Sequence, residues 1–229
     1  MDSTEDGASA CEARSVHCKA GNREHRVPVQ RCIVTFLQTV PDDEATGEVA
    51  KIYRQEIDAS GYVPESTRAL TTRPDVLAAY TSFVGAIRGG FTLPARDWRL
   101  ITLVAAKHIP STYCSLAYGK GLLGDLGSPE AVLAVQRDFR QAGLSPRDVA
   151  MLEYAEKVTV AASKIEQADV DRLREHGFSD AQISDIALCA AWRNFISRFF
   201  DAVGAMPDDE YRALDPSFRD PLCVGRPFR

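Results

Sequence analysis

What this chain of 229 residues lacks narrows its class before any motif is read. No apolar run approaches the roughly 18 residues that a membrane span needs, so no membrane association is expected. Basic residues are not in excess: 27 Lys plus Arg stand against 32 Asp plus Glu, a formal net charge of -5. That balance offers no electrostatic footprint for nucleic acid or for an anionic lipid surface. The first residues, Met1 to Gly21, contain no apolar h-region, so no secretory leader is expected. Neither GxGxxG nor a P-loop is present, and no haem, flavin or metal motif is visible, so no cofactor is expected. No CxxC pair occurs, and period-two alternation and internal repeats are missing too.

What remains is an ordinary globular composition, 45% hydrophobic and 26% charged. A chain of this length can hide roughly 70% of its unfolded surface. Six cysteines are spread widely through it, at Cys11, Cys18, Cys32, Cys114, Cys189 and Cys223. Wide spacing in a long chain reads as reduced thiols in a cytoplasmic protein, not as disulfide staples. Cys11, His17, Cys18, His25 and Cys32 match no zinc spacing and sit in a polar stretch. Residues 1–30 therefore read as a polar N-terminal tail with incidental cysteines, and residues 31–229 as the folded domain.

Within the domain the spacing is helical throughout. Pro41 with Asp42, Asp43 and Glu44 marks a helix start, and Val49, Ile52, Tyr53 and Ile57 continue at spacings of three and four. Asp75 to Ile87 places Val76, Leu77, Tyr80, Phe83, Val84 and Ile87 on one face, with Gly89 and Gly90 as the stop. Further helices run over 94–109, 111–123, 128–140, 145–162 and 167–176. A long last helix opens at Ser179 and is apolar around much of its circumference from Ile183 to Val203. Short connections between these segments predict an all-α bundle.

The sharpest local feature is Ser111-Thr112-Tyr113-Cys114-Ser115-Leu116-Ala117-Tyr118-Gly119, just after the helix break at Pro110. With Ser111 as N-cap, Cys114 is the third helical residue, near orphan backbone N–H groups and the positive end of the helix dipole. Such a place enriches the nucleophilic thiolate. Ser111 and Tyr118 lie one turn to either side and can share its face. The competing reading is a small buried apolar residue, which cysteine usually is, and the local pattern alone favours it.

Leu93-Pro94-Ala95-Arg96-Asp97-Trp98-Arg99-Leu100-Ile101, followed by the Ser111–Gly119 stretch, resembles the central signature of the AhpD-like superfamily. This superfamily joins alkylhydroperoxidase D-type proteins and carboxymuconolactone decarboxylases. Gly61-Tyr62-Val63-Pro64, Thr72-Arg73-Pro74-Asp75, Gly177-Phe178-Ser179-Asp180, Asn194-Phe195-Ile196-Ser197-Arg198 and the closing Val224-Gly225-Arg226-Pro227 resemble its peroxidase-related branch. The resemblance implies an AhpD-like helical bundle that forms a homo-oligomer, a dimer, trimer or hexamer. In its peroxidase members a peroxidatic Cys follows a resolving Cys in CxxC, and a His and a Glu relay protons. Here those positions fall on Cys114, Ser111, Tyr118 and Arg99, so one of the four keeps its chemistry.

Three readings stay open at this stage. The first is a hydroperoxide reductase using Cys114 alone, with an external thiol as reductant. The second is a redox-inactive tailoring enzyme acting on a small carboxylate or carbonyl substrate, with Arg99 as anion binder and Tyr118 as hydrogen-bond donor. The third is a non-catalytic oligomeric binding protein. His108, Trp192 and Arg193 are further candidates for the substrate pocket. Arg198 reads as an ion-pair or interface residue, and Glu153 and Glu156 as surface charges.

Overall fold

Helix caps and breaks set the architecture that a computed structural model shows for residues 35–228. The expected tail, with Cys11 and Cys18, lies outside the described residues, as does Cys32 just beyond it. The helices are α1 (Gly47–Ser60), α2 (Glu65–Leu70), α3 (Pro74–Gly90), α4 (Ala95–His108), α5 (Thr112–Leu126), α6 (Pro129–Asp138), α7 (Pro146–Ala161), α8 (Gln167–Glu175), α9 (Asp180–Val203) and the short α10 (Pro216–Arg219). Short 3-10 turns join several of them, and no strand occurs among the described residues. None of these helices is long and apolar enough to cross a membrane.

Several starts follow side-chain chemistry. Ser128 Oγ accepts from Ala131 N–H at 3.2 Å, and Ser145 Oγ accepts from Asp148 N–H at 3.1 Å. Ser179 and Gln182 bond each other's backbone in a capping box that opens α9. Ser111 departs from this pattern. It occupies the N-cap of α5, yet its hydroxyl caps nothing and is buried without a partner among the described residues.

Two expectations need correction. The first helix does not run on from Pro41: Asp42–Glu44 is a separate 3-10 turn, and α1 begins at Gly47. Extended backbone at Thr46 and a left-handed φ of 55° at Gly47 interrupt the helix between them. The apolar face read on α3 is covered only in part: Tyr80, Val84 and Ile87 pack half-buried on the core. Leu77 is its one buried residue, while Val76 is 41% and Phe83 53% exposed.

The core centres on α4, which packs against α5, α7 and α9. The run Leu100-Ile101-Thr102-Leu103-Val104-Ala105-Ala106 is buried along its whole length, so α4 is enclosed on every side. The last helix α9, apolar around much of its circumference, leaves Leu188 and Phe195 in solvent. Leu116 and Leu122 of α5, Met151 and Leu152 of α7, and Ile186 and Ile196 of α9 close around α4. A smaller cluster of Val49, Ile52, Tyr53, Val63, Leu70 and Leu77 knits α1 to α3. The C-terminal segment lies along α5. Leu222 packs on Gly119, and Gly225 N–H donates to Thr112 Oγ1 at 3.0 Å.

Candidate active site around Cys114

The break between α4 and α5 puts Cys114 in the first turn of a 15-residue helix, fully inside the protein. Its backbone N–H is among those that an α-helix leaves without an intrahelical partner. Opposite it, the i, i+4 pair Arg193 and Ser197 of α9 presents two polar groups to the sulfur. Ser197 Oγ is 3.1 Å from Cys114 Sγ, and Arg193 Nη1 donates to the same sulfur at 3.8 Å.

Arg193 is the electrostatic centre of the site. It is buried, and no carboxylate pairs with it among the described residues. Its Nη2 donates to Tyr118 Oη at 2.6 Å. Its guanidinium carbon lies 3.7 Å from the centroid of Trp192 and 4.5 Å from that of Tyr118. Burial works against its charge, but the neighbouring Tyr118 and Cys114 more than offset that, and its pKa is raised. A permanent cation therefore stands beside a cysteine sulfur inside the protein.

Tyr118, one turn beyond Cys114, also accepts from Trp98 Nε1–H at 3.3 Å. With two N–H groups already on its oxygen, its own hydroxyl hydrogen is left to donate. Rings wall the site: Trp98 and Trp192 have centroids 5.5 Å apart, and Tyr80 stacks on Trp192 at 6.4 Å. Burial pushes the Tyr80 hydroxyl well above its ordinary pKa. Four buried polar atoms of the site, Ser111 Oγ, Ser115 Oγ, Trp192 Nε1 and Arg193 Nε, have no hydrogen-bond partner among the described residues. An unpaired buried polar group is costly, on the order of 1–3 kcal/mol each.

The other described cysteines stand in different settings. Burial pushes the Cys189 thiol up to about 12, and its sulfur lies 3.9 Å from both Thr102 Oγ1 and Trp98 O. Burial likewise raises Cys223, whose sulfur is held on Arg219 O at 3.5 Å. All three are free thiols. No three His, Cys, Asp or Glu side chains gather in a metal-holding group among the described residues.

Of the residues singled out in the sequence, the structure brings together Cys114, Tyr118, Trp192 and Arg193, with Ser111 one turn before the sulfur. Arg99 and His108 are elsewhere. The Arg99 guanidinium is committed to Asp125, with contacts at 2.6 and 2.9 Å. His108 Nε2 meets Glu156 at 2.7 Å, on a separate cavity that Arg140 and Arg172 also line. Glu153 and Glu156 are half-buried partners of these cations, not free surface charges. Arg198 bonds Asn194 on its own helix. Sequence reasoning missed Ser197, Trp98 and Tyr80. The signal for Ser197 was its place one turn from Arg193 on the same helix face.

No family model and no curated protein matches the chain. Solved structures do. An AhpD-core, uncharacterized peroxidase-related protein from Ralstonia eutropha JMP134 aligns with a TM-score of 0.72 and 24% identity, over 84% of this chain and 98% of that one. An uncharacterized peroxidase-related protein from Silicibacter sp. TM1040 aligns with a TM-score of 0.69 and 29% identity, over 79% and 92%. The debrominase Bmp8 aligns with a TM-score of 0.66 and 16% identity, over 84% and 98%.

Proposed function

From the AhpD-like, peroxidase-related fold that this chain has, we propose that it reduces small organic hydroperoxides through the single thiol of Cys114, with an external thiol as reductant. The observation that carries this reading is the buried Arg193 guanidinium, 3.8 Å from the sulfur and with no carboxylate partner among the described residues. A fixed cation in a dry site supports negative charge on the attacking sulfur and on the departing oxygen alike. In the first step Cys114 Sγ bonds to one peroxide oxygen and the O–O bond breaks. The products are a Cys114 sulfenic acid and an alcohol, and the thiol proton ends on the alcohol through the Tyr118 hydroxyl. One external thiol then forms a mixed disulfide with Cys114 and releases water. A second frees Cys114 and leaves as the external disulfide. Cys189 and Cys223 are held on other partners, which supports an external reductant.

A second reading draws on the rings of Trp98, Trp192 and Tyr80. A variant of Bmp8 with a cysteine replaced by alanine has been solved in complex with 2,3,4-tribromopyrrole, on the same fold. Thiol-dependent removal of halogen from an aromatic ring would use the same cysteine and the same aromatic walls. The tailoring reading that joins Arg99 to Tyr118 has no geometric support, since Arg99 is held by Asp125. The exposed apolar residues Val76 and Phe83 of α3 and Leu188 and Phe195 of α9 support a homo-oligomer, which sedimentation of the full chain tests.

The deciding experiment is a brief pulse of cumene hydroperoxide followed by peptide mass mapping. Oxidation is expected at Cys114 well ahead of Cys189 and Cys223, and peroxide turnover with added thiol is expected to vanish in Cys114→Ser. Equal oxidation of the three thiols, or turnover in the variant, would overturn the reading.

A further inference from the structure

Trp98 belongs to two places at once. Its indole N–H reaches Tyr118 at the sulfur site, and its ring also forms a wall of a cleft of about 200 Å³. The other walls come from the end of α3 and the start of α4: Arg88, Phe91, Leu93, Ala95 and Arg99. Phe91 meets the Trp98 ring edge-on, with centroids 5.0 Å apart. The cleft is below the roughly 300–1,000 Å³ typical of drug-sized ligands, so it suits a small molecule.

Charge decides what kind. Arg99 is already neutralised by Asp125. Arg88 is exposed, and no carboxylate pairs with it among the described residues; its guanidinium carbon rests 5.6 Å from the Trp98 ring centroid. A cation–π contact at an exposed site is weak and does not compete with a carboxylate, which takes two parallel hydrogen bonds from a guanidinium. The larger cavity beside His108 differs in this respect. There His108, Arg140, Lys157 and Arg172 each already face a carboxylate.

We propose that this cleft binds a small amphipathic acid, with its carboxylate on Arg88 and its apolar body against Trp98 and Phe91. The inference rests on the hydroperoxide reading above and deepens it: the favoured hydroperoxides are carboxylic acids, bound beside the Trp98–Tyr118 contact. It makes Arg88 a specificity-determining residue.

The test uses the reduced full-length protein and unreactive probes, so it does not depend on turnover. Calorimetric titration with 3-phenylpropionate and with its uncharged amide is expected to show the acid binding at least tenfold more tightly. Arg88→Gln should erase that preference while leaving the melting temperature unchanged. Equal binding of acid and amide to the unaltered protein, no saturable binding of the acid, or an acid preference that survives Arg88→Gln would each overturn the proposal. Acid-selective binding without peroxide turnover would leave the cleft standing and sink only the hydroperoxide reading. Turnover of neutral and acidic hydroperoxides with equal KM would do the reverse.

Discussion

Replacing Arg193 with methionine separates its chemical role from its structural one. At 3.8 Å, a unit positive charge and a full negative charge on sulfur attract by about 4 kcal/mol at an effective dielectric near 20. At about 1.4 kcal/mol per decade, even two thirds of that term is a ~100-fold loss in the rate of Cys114 oxidation. Stability should respond quite differently. Burying the guanidinium costs several kcal/mol of hydration. The face of Trp192 at 3.7 Å returns about 2 kcal/mol, and the charged hydrogen bond to Tyr118 returns about 1.5–3 kcal/mol. Those terms nearly cancel, and methionine fills similar space, so the melting temperature should move by no more than about 4 °C. The assay is stopped-flow peroxide oxidation of the reduced protein, read by mass mapping at Cys114 and paired with a thermal melt. Oxidation of R193M at the unaltered rate, with the fold intact, would refute the electrostatic role given to this arginine.

Three other perturbations test the surrounding structure. Burial pushes the Glu65 carboxyl up from 4.5 to about 7, with Arg68 opposing and Asp208 reinforcing the shift. The folded chain then holds more protons than the unfolded chain between those values. Stability should therefore fall as pH rises from about 4.5 through 7, by about 3 kcal/mol at most, and Glu65→Gln should flatten that slope in denaturant titrations. Gly225→Ala would drive a methyl group into the Pro110 carbonyl at the start of α5, and should cost about 1–3 kcal/mol in a chemical melt. Ser111→Cys places a second thiol where a buried hydroxyl has no partner among the described residues. One equivalent of hydroperoxide should then close an intramolecular disulfide with Cys114, seen as a loss of two titratable thiols with no added reductant.

The fold was readable where local chemistry and packing agree. Ser128, Ser145 and Ser179 precede apolar periodic stretches, and each caps the helix that follows. The run from Leu100 to Ala106 has no polar face apart from Thr102, so its burial follows from composition alone. The start of α1 was misread because Pro41 and three acids fit a helix opening locally, while Gly47 takes a left-handed conformation that no spacing rule reveals. The exposure of Val76 and Phe83 on α3 was illegible for another reason. Periodicity identifies an apolar face but not whether anything covers it.

The site shows the same divide at the level of single residues. Cys114 and Tyr118 share a helix, so their common face could be read from a spacing of four. The cation that meets them could be named only as one candidate among several. Arg193 and Arg99, the one the sequence resemblance pointed to, are both arginines on helices of the core. Asp125, near the end of α5, captures Arg99 by a bidentate contact and holds it away from the sulfur. Arg193 has no acid within reach on its own helix face, where Cys189 and Ser197 lie one turn to either side, and it is packed between Trp192 and Tyr118. Whether an arginine reaches a buried thiol thus depends on which one a carboxylate captures first. Helix packing decides that, and it joins α5 to α9 across more than seventy residues of chain.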